Sequence, residues 1–202
     1  MRKRGFIVTA LALLGLLIWL VIGWQPQTDR DLVSPLLERP RGGDFTLSSD
    51  RGPVSLSDFR GKVVLLYFGY TWCPDICPTN LSMFSAIMDS LTAEERKQVQ
   101  PLFISVDPAR DTVERLKTYA TYFHPSLIGL TGTAAELDDV TKRYGAAYQI
   151  VKHADMTDYP VDHSADSYLI DTKGHLVRTY PHGTQADVIL SDIRELLAGH
   201  AL

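Results

Sequence analysis

The chain has two cysteines, Cys73 and Cys77, within the run Tyr70-Thr71-Trp72-Cys73-Pro74-Asp75-Ile76-Cys77-Pro78. Thiols at positions i and i+4 stand about one helical turn apart. That separation suits a disulfide or the clasp of one soft metal ion, and either outcome is sulfur chemistry. An isolated cysteine is more often a buried small hydrophobe without chemistry. Here both cysteines precede proline, both lie where a strand-like run gives way to a helical one, and no other thiol is available to pair with them. A helix starting at this turn puts the positive end of its dipole beside Cys77, which is expected to lower the pKa of the thiols.

The elements that must position the pair can be read from hydrophobic periodicity. Lys62 to Phe68 is a continuous apolar run of the kind that forms a buried central strand. Thr79 to Leu91 places Leu81, Phe84, Ile87, Met88 and Leu91 at helical spacing. Upstream, Asp44 to Ser48 and Pro53 to Leu56 flank a Ser-Asp-Arg-Gly turn and predict an N-terminal β-hairpin. Downstream, strands are predicted over Val99 to Val106, Leu127 to Leu130, Ala147 to Val151, Ser167 to Ile170 and His175 to Tyr180. Helices are predicted over Thr112 to Phe123, Thr133 to Tyr144 and Gln185 to Leu197, the second opening on a capping box, Thr133-Ala134-Ala135-Glu136. Such alternation calls for an α/β sheet with helices on both faces. A dithiol at the end of its first central strand makes the thioredoxin-like version the natural choice.

The N-terminus sets the compartment. Arg2, Lys3 and Arg4 precede an uncharged run, Gly5 to Trp24, long enough to cross a bilayer as a helix. A cleaved signal peptide would have a shorter apolar region and a small-residue cleavage site. This run ends Leu20-Val21-Ile22-Gly23-Trp24-Gln25-Pro26. The expected organisation is a cytoplasmic tip (1–4), a transmembrane anchor (5–24), a tether (25–43) rich in Pro and Gly, and one domain (44–202). The positive tip stays cytoplasmic. The domain would then face the periplasm from a bacterial inner membrane, where disulfides persist unless reduced. The net charge of −4 becomes −7 once the three basic residues of the tip are set aside, which argues against nucleic acid as a partner.

Four motifs in order carry a family resemblance: Gly69 to Pro78, Ile104-Ser105-Val106-Asp107-Pro108-Ala109-Arg110-Asp111-Thr112, Gly129-Leu130-Thr131-Gly132-Thr133, and Val161-Asp162-His163-Ser164. Together they resemble the Sco/SenC proteins, over nearly the whole predicted domain. The resemblance implies a membrane-tethered thioredoxin fold that binds copper and helps assemble the dinuclear copper centre of cytochrome c oxidase. It implies Cys73, Cys77 and His163 as the copper ligands. It also implies two partners, the copper-site subunit of the oxidase and a periplasmic copper donor or thiol reductant. The donor chemistry agrees: thiolates suit Cu(I) and imidazole suits both Cu(I) and Cu(II). A structural zinc site normally has a fourth ligand.

Of the six histidines, His163 precedes the strand Ser167 to Ile170 at the edge where a thioredoxin carries its cis-proline. His124 precedes a proline, His175 follows a hairpin glycine and His200 lies in the tail, while His153 and His182 stay as outside candidates. Asp155, Asp158 and Asp162 make an acidic stretch that is either a docking or metal-access surface or a solvated loop. Asp75 either tunes the thiols or stabilises their turn. Asp107-Pro108 and Arg110-Asp111-Thr112 read as a strand end and a helix cap. Phe68, Tyr70 and Trp72 are candidates to shield copper from water.

Two functions follow. In one, the reduced dithiol and His163 carry copper; in the other, Cys73 and Cys77 act as a redox dithiol that reduces the cysteines of the target. A Cys73–Cys77 disulfide would exclude copper, so the two are linked. Thr71, two residues before Cys73 as in peroxiredoxins, raises peroxidase chemistry, which nothing else in the sequence supports.

Overall fold

Val63–Gly69 carries apolar side chains at successive positions because both of its faces are covered. The computed structural model describes residues 13–20, 40–151 and 159–202. The chain divides into two units, 1–38 and 39–202. In the first, residues 13–20 are helical. The rest of the span expected over 5–24 lies outside the described residues, and no described helix is long and apolar enough to cross a membrane.

The second unit begins its regular structure with the expected hairpin, β1 (Thr46–Ser49) and β2 (Gly52–Ser55). It continues with β3 (Val63–Gly69), α1 (Ile76–Ser90), α2 (Ala93–Lys97), β4 (Val99–Ser105), α3 (Val113–Phe123), β5 (Ile128–Leu130) and α4 (Ala134–Tyr144). The remaining elements are β6 (Tyr148–Ile150), β7 (Val161–His163), β8 (Ser167–Ile170), β9 (Leu176–Tyr180) and α5 (Ala186–Leu197). Five strands form one sheet in the order β5-β4-β3-β8-β9, with β3, β4 and β5 parallel and β8 and β9 antiparallel. Successive residues of β3 point to opposite faces. Tyr67 packs on Phe84 of α1 and Phe103 of β4, whereas Phe68 packs on Tyr144 of α4 and Tyr168 of β8. Helices therefore cover both faces, as expected.

Local chemistry sets several boundaries. Thr133 Oγ1 accepts from the Glu136 amide while Glu136 accepts from the Thr133 amide, so the predicted capping box starts α4. That helix stops at Gly145, whose φ of 68° is the left-handed conformation that glycine adopts without strain. The amides of Arg41 and Gly42 bond the Arg143 carbonyl, so the described end of the predicted tether is fastened to α4.

Two features were not expected. α1 starts three residues before the apolar periodicity does, which puts Cys77 inside its first turn. β7 pairs only with β6, in register Tyr148↔His163, as a ribbon outside the main sheet. Its three residues are too few to show a strand period, although its partner β6 falls within the strand predicted over Ala147 to Val151.

The register fixes where a site can form. Gly69 of β3 lies opposite Ser105 of β4, so the segments leaving both parallel strands emerge side by side. β8 runs antiparallel with Ser167 beside Tyr67, so the segment entering β8 arrives at the same edge. Ligand sites of open α/β sheets form at such carboxyl ends.

Candidate metal centre

Cys73 lies in the loop leaving β3, Cys77 in the first turn of α1, and His163 at the end of β7. Their ligand atoms all lie within 4.8 Å of one another, and among the described residues this is the one cluster of its kind. A metal bonded to two donors at about 2.3 Å spans at most about 4.6 Å between them. The three side chains thus need only a small adjustment to share an ion.

Each donor is set by its neighbours. The Cys77 amide donates to Cys73 Sγ at 3.4 Å, so the sulfur serves as an acceptor at the start of α1. Cys77 Sγ is fully buried, stands 3.4 Å from His163 Nε2, and receives a weak hydrogen bond from the Tyr67 hydroxyl at 3.8 Å. The imidazole is half-buried, and its Nδ1 lies 2.9 Å from the Ser164 carbonyl. A carbonyl only accepts, so Nδ1 carries the proton and the Nε2 lone pair faces the sulfurs. Tyr67 and Tyr70 pack their rings edge-on against the imidazole, at 6.1 and 5.7 Å.

The two thiols are not lowered together. Hydrogen bonding by Cys77 outweighs burial and holds Cys73 down at about 3. Cys77, which shares its proton with Cys73 and is fully buried, is pushed far above the ordinary thiol range. The helix start thus favours the thiolate at Cys73, whose sulfur the amide meets, and the expectation fails at Cys77, which is folded inward against β3.

Gly69 explains how Cys77 fits. A Cβ on this residue would stand 2.6 Å from Cys77 Sγ, with Phe103 and Tyr67 also within 3.1 Å. The strand has to end without a side chain for the sulfur to reach the cluster. Asn80, one turn beyond Cys77 and buried, donates to the Ala165 carbonyl at 3.2 Å and ties α1 to the loop after His163. Neither residue was singled out from sequence, although Gly69 opens the quoted motif.

Other candidates take different places. Tyr70 is buried beside His163, but Phe68 belongs to the opposite face of the sheet, and Trp72 is 48% exposed beneath Arg115. The carboxylate of Asp75 makes no cap, although Thr79 bonds its carbonyl. His182 meets Asn80 at 3.2 Å, His124 meets Ser126, His175 meets Asp171 and His200 meets Glu195. His153, Asp155 and Asp158 lie outside the described residues; Asp162 is exposed on β7. The Thr71 hydroxyl donates to Asp111 and accepts from Arg115. Thr112 caps α3 as expected, but Asp107 and Asp111 are fully buried and do more than end elements.

The model of the SCO1/SenC family matches residues 34–198. A relative in Bos taurus, the mitochondrial protein SCO2 homolog, is 43% identical over 158 residues, covering 77% of this chain and 59% of its own length. The crystal structure of Arabidopsis thaliana ScoI with copper bound is similar at a TM-score of 0.69 and 37% identity, over 79% of this chain and 99% of that one. BsSco, described as a member of the Sco family of cytochrome c oxidase assembly proteins with a disulfide switch, is similar at a TM-score of 0.61 and 26% identity, over 79% and 95% of the two chains.

Proposed function

This chain belongs to the SCO1/SenC family, and from that premise we propose that it binds copper through Cys73, Cys77 and His163 and delivers it to, or prepares, the dinuclear copper site of cytochrome c oxidase. The observation that carries this reading is the convergence of two sulfurs and one imidazole nitrogen within 4.8 Å at the carboxyl end of the sheet. Two soft donors favour Cu(I), the imidazole makes Cu(II) acceptable as well, and three protein ligands leave one face for transfer to an acceptor. Copper is cargo here, so moderate coordination is an advantage. The copper-bound Arabidopsis relative and the oxidase-assembly description of BsSco support the choice of metal and recipient.

The test is an anaerobic titration of the reduced full-length chain with Cu(I) and with Cu(II) against a competing chelator, in wild type and His163→Ala. One ion per chain, a thiolate-to-Cu(II) absorption band and clear weakening in the variant are expected. Weak binding indifferent to His163 would overturn the carrier reading.

A second reading rests on the lowered pKa of Cys73 beside a buried partner thiol. A Cys73 thiolate attacks a target disulfide to form a mixed disulfide. Cys77 then displaces the reduced target, and the two electrons come from the Cys73–Cys77 pair. His163→Ala should leave most of this exchange intact while impairing copper retention, which separates the two activities.

The setting proposed is a single-pass inner-membrane protein with 1–4 cytoplasmic, 5–24 as anchor, 25–43 as tether and 44–202 in the periplasm, within reach of a copper donor or reductant. Support comes from the uncharged run 5–24 after three basic residues, and from the exposed Leu13, Leu14, Leu16, Leu17, Ile18 and Trp19 on the described helical turns. Retention in the membrane fraction after alkaline carbonate, with release by detergent, is the expected result; release by carbonate alone would refute the anchor.

A further inference from the structure

The motif Asp107 to Thr112 holds no metal donor in the cluster, yet it contains two carboxylates that are both fully buried. Burial of a carboxylate is costly unless its oxygens are hydrogen-bonded. The partners that satisfy these two reach, on one side, the loop that carries Cys73 and, on the other, the strand that carries His163.

Asp111 grips the cysteine side. Its Oδ2 accepts from the Thr71 amide at 2.8 Å, and its Oδ1 accepts from the Thr71 hydroxyl at 2.5 Å. Thr71 is two residues before Cys73, and the Cys73 amide in turn bonds the Tyr70 carbonyl. Asp107 grips the histidine side. Its Oδ1 accepts from the Tyr159 hydroxyl at 2.9 Å, and Tyr159 leads through Pro160 directly into β7 and His163. Arg110 completes this half, with its Nε on Asp107 Oδ2 and its guanidinium 3.7 Å from the centre of the Tyr159 ring.

Ser105 joins the halves. Its hydroxyl donates to Asp111 Oδ2 at 2.6 Å and accepts from the Asp107 amide at 3.2 Å, and it is fully buried at the end of β4. The Asp111 amide also bonds the Asp107 carbonyl. A continuous path of hydrogen bonds therefore runs Thr71, Asp111, Ser105, Asp107, Tyr159. We propose that Asp107 and Asp111 are positioning residues that fix the spacing between Cys73 and His163 by clamping both ligand-bearing segments to the end of β4. This rests on the copper-carrier reading above, and it gives the motif a role beyond ending a strand and capping a helix. Because Tyr159 leads directly into the strand that carries His163, loosening it should weaken the ion that needs imidazole, Cu(II), more than Cu(I), for which the two thiolates suffice.

The test uses the full-length reduced chain with Thr71→Val, Tyr159→Phe, the double variant and His163→Ala, titrated anaerobically with Cu(I) and with Cu(II) against chelators, with thermal unfolding of each apo form. Both chosen substitutions remove one hydroxyl and spare the buried carboxylates, so folding should survive. Tyr159→Phe is expected to weaken Cu(II) about 10-fold and Cu(I) less than about 3-fold. It should also shift the thiolate-to-Cu(II) band. Thr71→Val is expected to weaken both ions, and the double variant to lose less than the product of the single losses, as linked residues do. Equal losses of the two ions in Tyr159→Phe, no loss at all, or strictly multiplicative losses in the double variant would overturn the inference. If His163→Ala itself leaves copper affinity unchanged, the carrier reading fails and takes the inference with it. If His163→Ala weakens copper and Tyr159→Phe does not, the inference alone fails.

Discussion

The loop from Tyr70 to Asp75 separates two polar regions of opposite character. On one side stand Cys73, Cys77 and His163, whose donor atoms point at one another across at most 4.8 Å. On the other stand Asp107 and Asp111, whose carboxylates are met by one amide, three hydroxyls and a guanidinium at 2.5 to 2.9 Å. The first region keeps lone pairs in reserve for a visitor. The second has spent its lone pairs on its own chain. The proposed carrier role needs both, because donors that must later release an ion cannot also be the groups that hold the fold together.

That contrast breaks most severely if a donor is removed. Cys77→Ala should weaken copper by more than about 100-fold, beyond the range of losses from supporting residues, while leaving the Asp111 network in place. Chelator competition measures the loss, and a near-normal affinity would place the ion elsewhere. Next in size, Asp111→Ala should destabilise the apo fold by about 3 kcal/mol, because the Thr71 amide and the Ser105 hydroxyl lose a buried acceptor. Urea unfolding checks this; a change near zero would show that the second region is not structural. Gly69→Ala should cost about 1–3 kcal/mol through the 2.6 Å approach to Cys77 Sγ, with a parallel loss of copper affinity as the sulfur is displaced.

The smallest effect sharpens the contrast within the dithiol. With Cys73 lowered and Cys77 raised, the neutral-pH apo protein has one thiolate and one thiol. Loading must then displace the Cys77 proton, so above the ordinary histidine range, from about pH 7.5 to 9, the logarithm of copper affinity should rise by about one per pH unit. The same asymmetry predicts that iodoacetamide at pH 5 modifies Cys73 and spares Cys77, as peptide mapping would show. Two protons released per ion, or equal modification, would contradict it.

The parts of this molecule that were legible in its sequence are those governed by short-range pattern. β3 shows as an unbroken apolar run and β4 as a largely apolar one because helices cover both of their faces, and the α4 boundary shows because a capping box is local chemistry. The dithiol was plain from its spacing. His163 was favoured among six histidines by its place before the strand Ser167 to Ile170 and then by the family resemblance; its β6 partner was legible as a strand, whereas the three residues of β7 are too few to leave a trace. The inward turn of Cys77 was hidden by Ile76 and Pro78, which extend α1 beyond its apolar periodicity. The burial of Asp107 and Asp111 was hidden for a related reason: a carboxylate that caps a helix in solvent and one sealed in the core look alike until burial is known.

β7 is hydrogen-bonded to β6 and to none of the five strands of the main sheet. An ion held by three donors can therefore become an ion held by two without a single rung of the central ladder opening. On the proposed carrier reading, the drop in coordination number that an acceptor would exploit is confined to a three-residue ribbon and its side-chain moorings, so the barrier to handing over the cargo would be separable from the stability of the vessel.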